Sequence, residues 1–299
     1  MYPSSFEYER AESVEDALSL MDQYADENAE LLAGGHSLLP TMKSGLASPD
    51  ALIDIGHIDE LNGIEENGES INLGALTSYS AVDDAETMWN GATAFAEAAH
   101  RIGDVQVRNR GTVGGNIAHA DPASDLPAAL LASDGTVVAH GPDGERSIPV
   151  DDFFETMYTT ALAEDEILTR LELPKRGQNS HVGAYAKKPS PSSGYAMVGV
   201  AVVLELDGES VDSARIAANG AMDHAVRLEP VEEALTGETL SDETIAEAAE
   251  HATDDLDTML LMDDLQASSE FRAQLLKVYT KRALESGLDR VNAPAPAAD

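Results

Sequence analysis

The sequence contains no cysteine. That excludes disulfides, thiol catalysis and any cysteine-ligated zinc or iron–sulfur centre on this chain. It is also short of positive charge: 18 Lys and Arg stand against 55 Asp and Glu, a formal net charge of −37 and a pI near 4.2. A surface of that sign repels phosphodiester backbones and anionic lipid, so nucleic-acid and membrane-surface roles are not expected. Between Arg227 and Arg272 there is no Lys or Arg at all, yet apolar spacing persists through the segment. The acids therefore read as the solvated face of folded elements adapted to high salt rather than as an acidic tail. Long hydrophobic runs are missing too, none approaching the roughly 18 apolar residues of a membrane helix. The opening "MYPSSFEYERAESVEDAL" lacks a basic segment followed by an apolar one, so the expected location is the cytoplasm.

What is present is enough for a folded chain of two ordinary domains or one large one: 299 residues, 43% hydrophobic and 24% charged. Residues 13–24 read as a helix with Ser13 as cap and Asp16 completing a modest capping box. "AELLAGG", "ALIDIG" and "SINLGAL" read as short strands. "AVDDAETMWNGATAFAEAAHRIG" reads as helical, and "LPAALLASDGTVVAHGPDGERSIPV" as a helix, a strand, a Pro-Asp-Gly turn and a return strand. "KKPSPSSG", residues 187–194, has the texture of a Pro/Ser surface loop. It precedes two antiparallel strands, "YAMVGVAVVLEL" and "VDSARIAANGA", and then acidic helices to about residue 287. The division of the chain falls near residues 175–183, and the Pro/Ala-rich end is expected to fray.

Two glycine pairs stand out, "AGGHS" at residues 33–37 and "TVGGN" at residues 112–116. Paired glycines bring bare N–H groups together into a nest for an anion, and the neighbouring hydroxyl and amide side chains add donors. In a chain with so few cations, neutral donors are the available means of holding a pyrophosphate. Neither stretch fits G-x-G-x-x-G or GxxxxGK[ST], which removes a Rossmann or P-loop site. On this reading a valine at position 114 is expected to expel the ligand while leaving the chain folded.

The segments "AGGHSLLPTMKSGLASPDALIDIGHIDELNGI", "RNRGTVGGNIAHADPASDLPAALLA", "GYAMVGVAVVLEL" and "DDLQASSEFRAQLLKVYTKRAL" together resemble the FAD-binding medium subunit of the molybdenum hydroxylases. The likeness is greatest to aerobic carbon monoxide dehydrogenases and weaker to the xanthine dehydrogenase flavin domain. The resemblance implies an α+β fold. Residues 1–178 would form a two-lobed FAD domain of the p-cresol methylhydroxylase type, with lobes of about 1–56 and 57–178. Residues 179–287 would form an antiparallel sheet with helices, and 288–299 a disordered tail. It also implies noncovalent FAD. Ala33, Gly34, Gly35, His36 and Ser37 would wrap the pyrophosphate from one side, with Thr112, Gly114, Gly115 and Asn116 on the other, and Leu32, Leu38, Ile102, Val113 and Asp125 would complete the cofactor contacts. Tyr195 matches an aromatic residue set against the isoalloxazine. The preceding loop departs from the family's pattern, since "KKPSPSSGY" replaces a basic stretch ending in Gly-Asp-Tyr.

The implied role is an electron-transfer flavoprotein subunit with no metal and no substrate catalysis of its own. A small iron–sulfur subunit and a large molybdopterin subunit would be its partners in a dimer of heterotrimers, carrying the clusters and the molybdenum cofactor. Plainer readings stand beside these assignments. His36 is either a hydrogen-bonding turn residue or a covalent flavin attachment point. Tyr195 is either the flavin-facing aromatic or a half-buried strand residue. His119 is a packed histidine or a base, Asp121 a turn residue or a metal ligand. Arg101, Arg108 and Arg110 are surface ion-pair residues or contacts to a phosphate or a partner. As a whole, the chain is alternatively a self-contained oxidase of the alcohol-oxidase kind, or an assembly scaffold without cofactor.

Overall fold

The computed structural model describes residues 2–177, 181–257 and 259–292. Strand β1 (Glu7–Arg10), helix α1 (Val14–Gln23), β2 (Ala29–Leu32), α2 (Leu38–Ser44) and β3 (Ala51–Asp54) form the first lobe, a parallel sheet in the order β1-β3-β2. Ser13 caps α1 through the Asp16 N–H, but the Asp16 carboxylate accepts from Glu12 rather than from the cap residue, so the capping box is offset by one position. Ala17 of α1 packs against Ile53 and Ile55 in a small core of its own.

The second lobe begins with β4 (Ile64–Asn67) and β5 (Ser70–Gly74). The next segment, expected as one helix, is three: α3 (Tyr79–Asp84), α4 (Glu86–Gly91) and α5 (Thr93–His100), broken where Ala85 is extended and where Ala92 leaves the helical region. The break at Ala85 lets the Trp89 indole N–H donate to the Asp83 carbonyl at 2.6 Å. Then come α6 (Val105–Arg108), α7 (Val113–His119), α8 (Asp125–Ala132), β6 (Thr136–Gly141), β7 (Gly144–Pro149), the small hairpin β8 (Phe154–Thr156) and β9 (Thr159–Thr160), and β10 (Ile167–Pro174). Its main sheet is antiparallel, ordered β4-β5-β10-β6-β7.

The third unit is an antiparallel sheet of β11 (His181–Pro189), β12 (Ala196–Asp207), β13 (Ser210–Asn219) and β14 (Val226–Arg227), followed by α9 (Glu229–Leu235), α10 (Asp242–Glu250) and α11 (Ser269–Asn292). Residues 288–292, expected to belong to a disordered tail, are part of α11, which runs on to Asn292; residues 293–299 lie outside the described part.

One feature of packing governs where the site forms. Residues 196–204 of β12 are all buried, as in a strand covered on both faces. Ala201 and Val203 join the core that contains Phe95 of α5 and Leu126, Ala128 and Leu130 of α8. Val198, Val200, Val202 and Leu204 enter the opposite core with Leu276 and Ala283 of α11. Helix α8 is buried on every side, which its apolar sequence "DLPAALLA" anticipates. The second lobe and the third unit thus share a core, and the start of α8 is clamped between them.

Candidate functional site

The two glycine turns meet, and each glycine has a different reason to be there. A Cβ on Gly34 would run into the Arg110 carbonyl oxygen and stand 3.1 Å from the Gly111 Cα. Gly35 has φ +72°, the left-handed region. The N–H groups of Gly34, Gly35, His36 and Ser37 donate to no acceptor among the described residues. They form an open row of donors between β2 and α2, flanked by half-buried Leu32, Ala33 and Leu38.

The second turn differs. Val113 donates its N–H to the Thr77 carbonyl at 2.9 Å and Gly114 donates to the Ala75 carbonyl at 2.8 Å. Thr112 caps α7 by accepting from the Gly115 N–H at 3.3 Å. Val113 is fully buried in the second-lobe core, and a Cβ on Gly114 would lie 2.5 Å from the Ala75 Cβ and 2.7 Å from its Cα. The N–H groups of both residues and the Val113 side chain are therefore turned to the core. The expectation that valine at 114 expels a ligand from an otherwise sound fold is corrected: it would drive α7 off the β5–α3 connection. Gly115 does face the first turn, its Cβ position 3.6 Å from the Ala33 Cβ. The Asn116 amide donates to the Tyr79 hydroxyl at 3.0 Å and accepts from Ser124 Oγ at 2.7 Å.

Between these turns, α6 and the loop before β12 lies an open cleft. His36, Ser37, Asn116 and Asp125 supply polar groups, Ile102 and Val107 an apolar wall, and Tyr79 and Tyr195 aromatic surface. Tyr195 is not a strand residue. It ends the loop ahead of β12, is 41% exposed, and has its hydroxyl held above the ordinary range by burial and by the Asp121 carboxylate, with Ser37 opposing. Burial likewise raises Tyr79, so both phenols stay protonated at neutral pH.

Asp125 begins α8 and is 4% exposed. Its partners are ones the sequence did not disclose. The Lys187 ammonium donates to Oδ2 at 2.8 Å and the Tyr185 hydroxyl to Oδ1 at 2.5 Å. Burial pushes the Asp125 carboxyl upward, against the pull of Lys187 and Tyr185. The reading of residues 187–194 as a surface loop is corrected here, because Lys187 and Lys188 belong to β11 and only residues 190–195 form the loop. The signal lay in the strand period: Tyr185 and Lys187 are two apart and point to one face.

The arginine cluster divides. Arg101 pairs with Glu97 at 3.3 Å and Arg108 with Asp83 at 3.6 Å, whereas Arg110 forms no ion pair with a described residue. The His119 ring lies 5.1 Å from that of Tyr158, and the Asp121 carboxylate accepts from the Ala123 N–H at 2.9 Å, a turn role. Among the described residues no group of three histidines or carboxylates converges as metal ligands would.

A two-lobed α+β frame whose cleft carries unspent backbone donors at one end and tyrosines beside an apolar wall at the other is the frame of an FAD-binding protein. Residues 4–176 match the FAD binding domain in molybdopterin dehydrogenase, and residues 183–286 the CO dehydrogenase flavoprotein C-terminal domain. The chain belongs to this family of FAD-binding subunits of molybdenum hydroxylases. It is 37% identical over 290 residues to the carbon monoxide dehydrogenase medium chain of Hydrogenophaga pseudoflava, covering 97% of this chain and 99% of the relative. It is 33% identical to the glyceraldehyde dehydrogenase medium chain of Sulfolobus acidocaldarius, covering 95% and 99%. The solved carbon monoxide dehydrogenase from Hydrogenophaga pseudoflava superposes with a TM-score of 0.91 at 38% identity, over 97% of this chain and 99% of that one. Quinoline 2-oxidoreductase from Pseudomonas putida 86 superposes at 0.90 and 27% identity, over 98% and 100%. No helix among the described residues is long and apolar enough to cross a membrane.

Proposed function

We propose that the chain holds FAD noncovalently in this cleft and serves as the electron-transfer subunit of a cytoplasmic molybdenum hydroxylase complex. The reading includes a small iron–sulfur subunit and a large molybdopterin subunit as partners, assembled as a dimer of heterotrimers. The domains follow the same reading, with residues 1–178 as the FAD-binding part and 179–287 as the C-terminal part. When bound, FAD supplies the two-electron store between one-electron clusters and an external acceptor.

The observation that carries the proposal is the open N–H row of Gly34, Gly35, His36 and Ser37. In a chain of net charge −37, it offers a dianionic pyrophosphate hydrogen bonds without a buried cation. Thr112, Gly115 and Asn116 bound the opposite side, while Ile102 and Tyr195 flank the space for the ring system. Arg110, whose carbonyl lies against Gly34, forms no ion pair with a described residue. Asp125 is held by Lys187 and Tyr185, which offsets its repulsion of an anionic ligand. No residue in the cleft is required to take a proton from a substrate, because the substrate reaction belongs to the molybdenum-bearing partner. The relatives' names accordingly span carbon monoxide, glyceraldehyde and nicotine.

The test is to purify the chain in high salt, record its visible spectrum and precipitate it with acid. FAD released into the supernatant is the expected result. Flavin retained in the pellet would mean attachment at His36 and an oxidase-like protein; a colourless chain that takes up no added FAD would mean a scaffold.

A further inference from the structure

Lys187 is the only lysine among the buried charged residues described, which also include Glu97, Asp125, Glu232 and Arg272. Its side chain is 5% exposed, as is that of Asp125, with which it pairs. Burying an ammonium needs partners beyond one carboxylate. The second is the Gly194 carbonyl, which accepts from Lys187 Nζ at 3.0 Å. The hairpin between β11 and β12 closes at the Pro189–Ala196 pair. Within residues 190–195 the bonds are Ser190 N–H to the Tyr195 carbonyl at 2.7 Å, Gly194 N–H to the Ser190 carbonyl at 2.9 Å, the Ser190 and Ser192 hydroxyls at 3.1 Å, and Tyr195 N–H to Ser193 Oγ at 3.4 Å. Gly194 sits at φ +78°. On the other side of Tyr195, the Ala196 N–H donates to the Ala123 carbonyl at 3.1 Å.

We propose that Lys187 is the positioning residue for Tyr195: by joining Asp125 to the Gly194 carbonyl, it fixes the height of the loop over the cleft. Tyr195 is bracketed by Gly194, tied to Asp125 through Lys187, and by Ala196, tied directly to Ala123. Both anchors are in one short segment, residues 123–125, so the entrance to α8 holds the aromatic wall of the cleft from both sides of Tyr195. This explains how the Pro/Ser loop can lack basic residues and still present its tyrosine. The consequence for FAD rests on the function proposed above; the anchoring of the loop does not.

Amide hydrogen exchange on the full-length, cofactor-free chain tests the anchor. In Lys187→Met, the amides of Ser190, Gly194 and Ala196 are expected to exchange at least about tenfold faster, the scale of losing one charge-assisted hydrogen bond, while those of Val200 and Val202 in β12 hold the parental rate. Exchange at the parental rate throughout overturns the proposal. Because Lys187→Met leaves a buried carboxylate without its counter-charge, Lys187→Met/Asp125→Asn is compared with Asp125→Asn alone. The double variant is expected to regain thermal stability yet keep the fast loop. Recovery of slow loop exchange in the double variant would mean that only the charge balance mattered, which also overturns it. FAD titration of the same proteins is expected to give an affinity about tenfold weaker in both Lys187 variants. A parent chain that binds no FAD would sink the proposed function while leaving the exchange result to decide the anchor.

Discussion

Gly34 and Gly114 both lack room for a side chain, but against different neighbours. Gly34 lies in a half-exposed turn beside the free N–H row, whereas Gly114 is enclosed by the Ala75 backbone. Gly114→Val should therefore lower the melting temperature of the cofactor-free chain, by an overpacking cost of about 1–3 kcal/mol or more. Gly34→Ala, whose Cβ would meet the Arg110 carbonyl oxygen, should lower that temperature as well and in addition weaken FAD binding, by about tenfold if one pyrophosphate hydrogen bond is lost. Thermal melts and FAD titrations of the two variants check the contrast. Undiminished FAD affinity in folded Gly34→Ala would mean that the first turn is structural only.

At the scale of elements, the edge of the second-lobe sheet is joined by Arg146 on β7 and Glu166 just before β10, bonded at 2.5 and 2.7 Å. Glu166 also accepts from the Ala163 N–H at 2.8 Å. The Arg146 guanidinium holds the Glu166 carboxyl below its ordinary value. A depressed carboxylate contributes stability above its unfolded pKa, near 4.3, and loses that contribution as pH falls through the folded value. Glu166→Gln should cost about 1 kcal/mol at pH 7, given the half-exposed arginine. Parent and variant should then converge as the pH is taken below about 4. Urea midpoints across that range test it; a gap that stays constant with pH would assign the loss to packing.

At the scale of the molecule, charge and the shared core decide behaviour. With a net charge of −37, self-repulsion is screened when the Debye length falls from about 10 Å at 0.1 M salt to about 3 Å at 1 M. The melting temperature should climb steadily over that interval, and a flat profile would remove the high-salt reading of the acidic surface. Ending the chain after Arg176 should leave α5 and α8 without the sheet that covers them, since Ala201 and Val203 complete their core. Such a fragment is expected to aggregate or to retain no FAD, measured by size-exclusion chromatography and absorbance. A monomeric, FAD-binding fragment would show that the first two lobes stand alone.

Local chemistry determined much of this protein. Strand runs such as "ALID" and the "AAN" end of β13, the two glycine turns in their order, and the absence of cysteine all belong to neighbouring residues or to composition, and they were legible before any fold was known. The single-helix reading of residues 81–103 went wrong because Ala85 and Ala92, good helix formers by propensity, leave helical geometry, Ala85 where the Trp89 indole bonds back to the Asp83 carbonyl. Only the tertiary structure decided which glycine turn keeps its N–H groups free, because the second spends two of them on Ala75 and Thr77, far back in the sequence. The same holds for Lys187. Strand alternation sets it on the face of Tyr185, unlike Lys188 beside it, but its role comes from Asp125, 62 residues away, which the shared core of α8 and β12 brings beneath it.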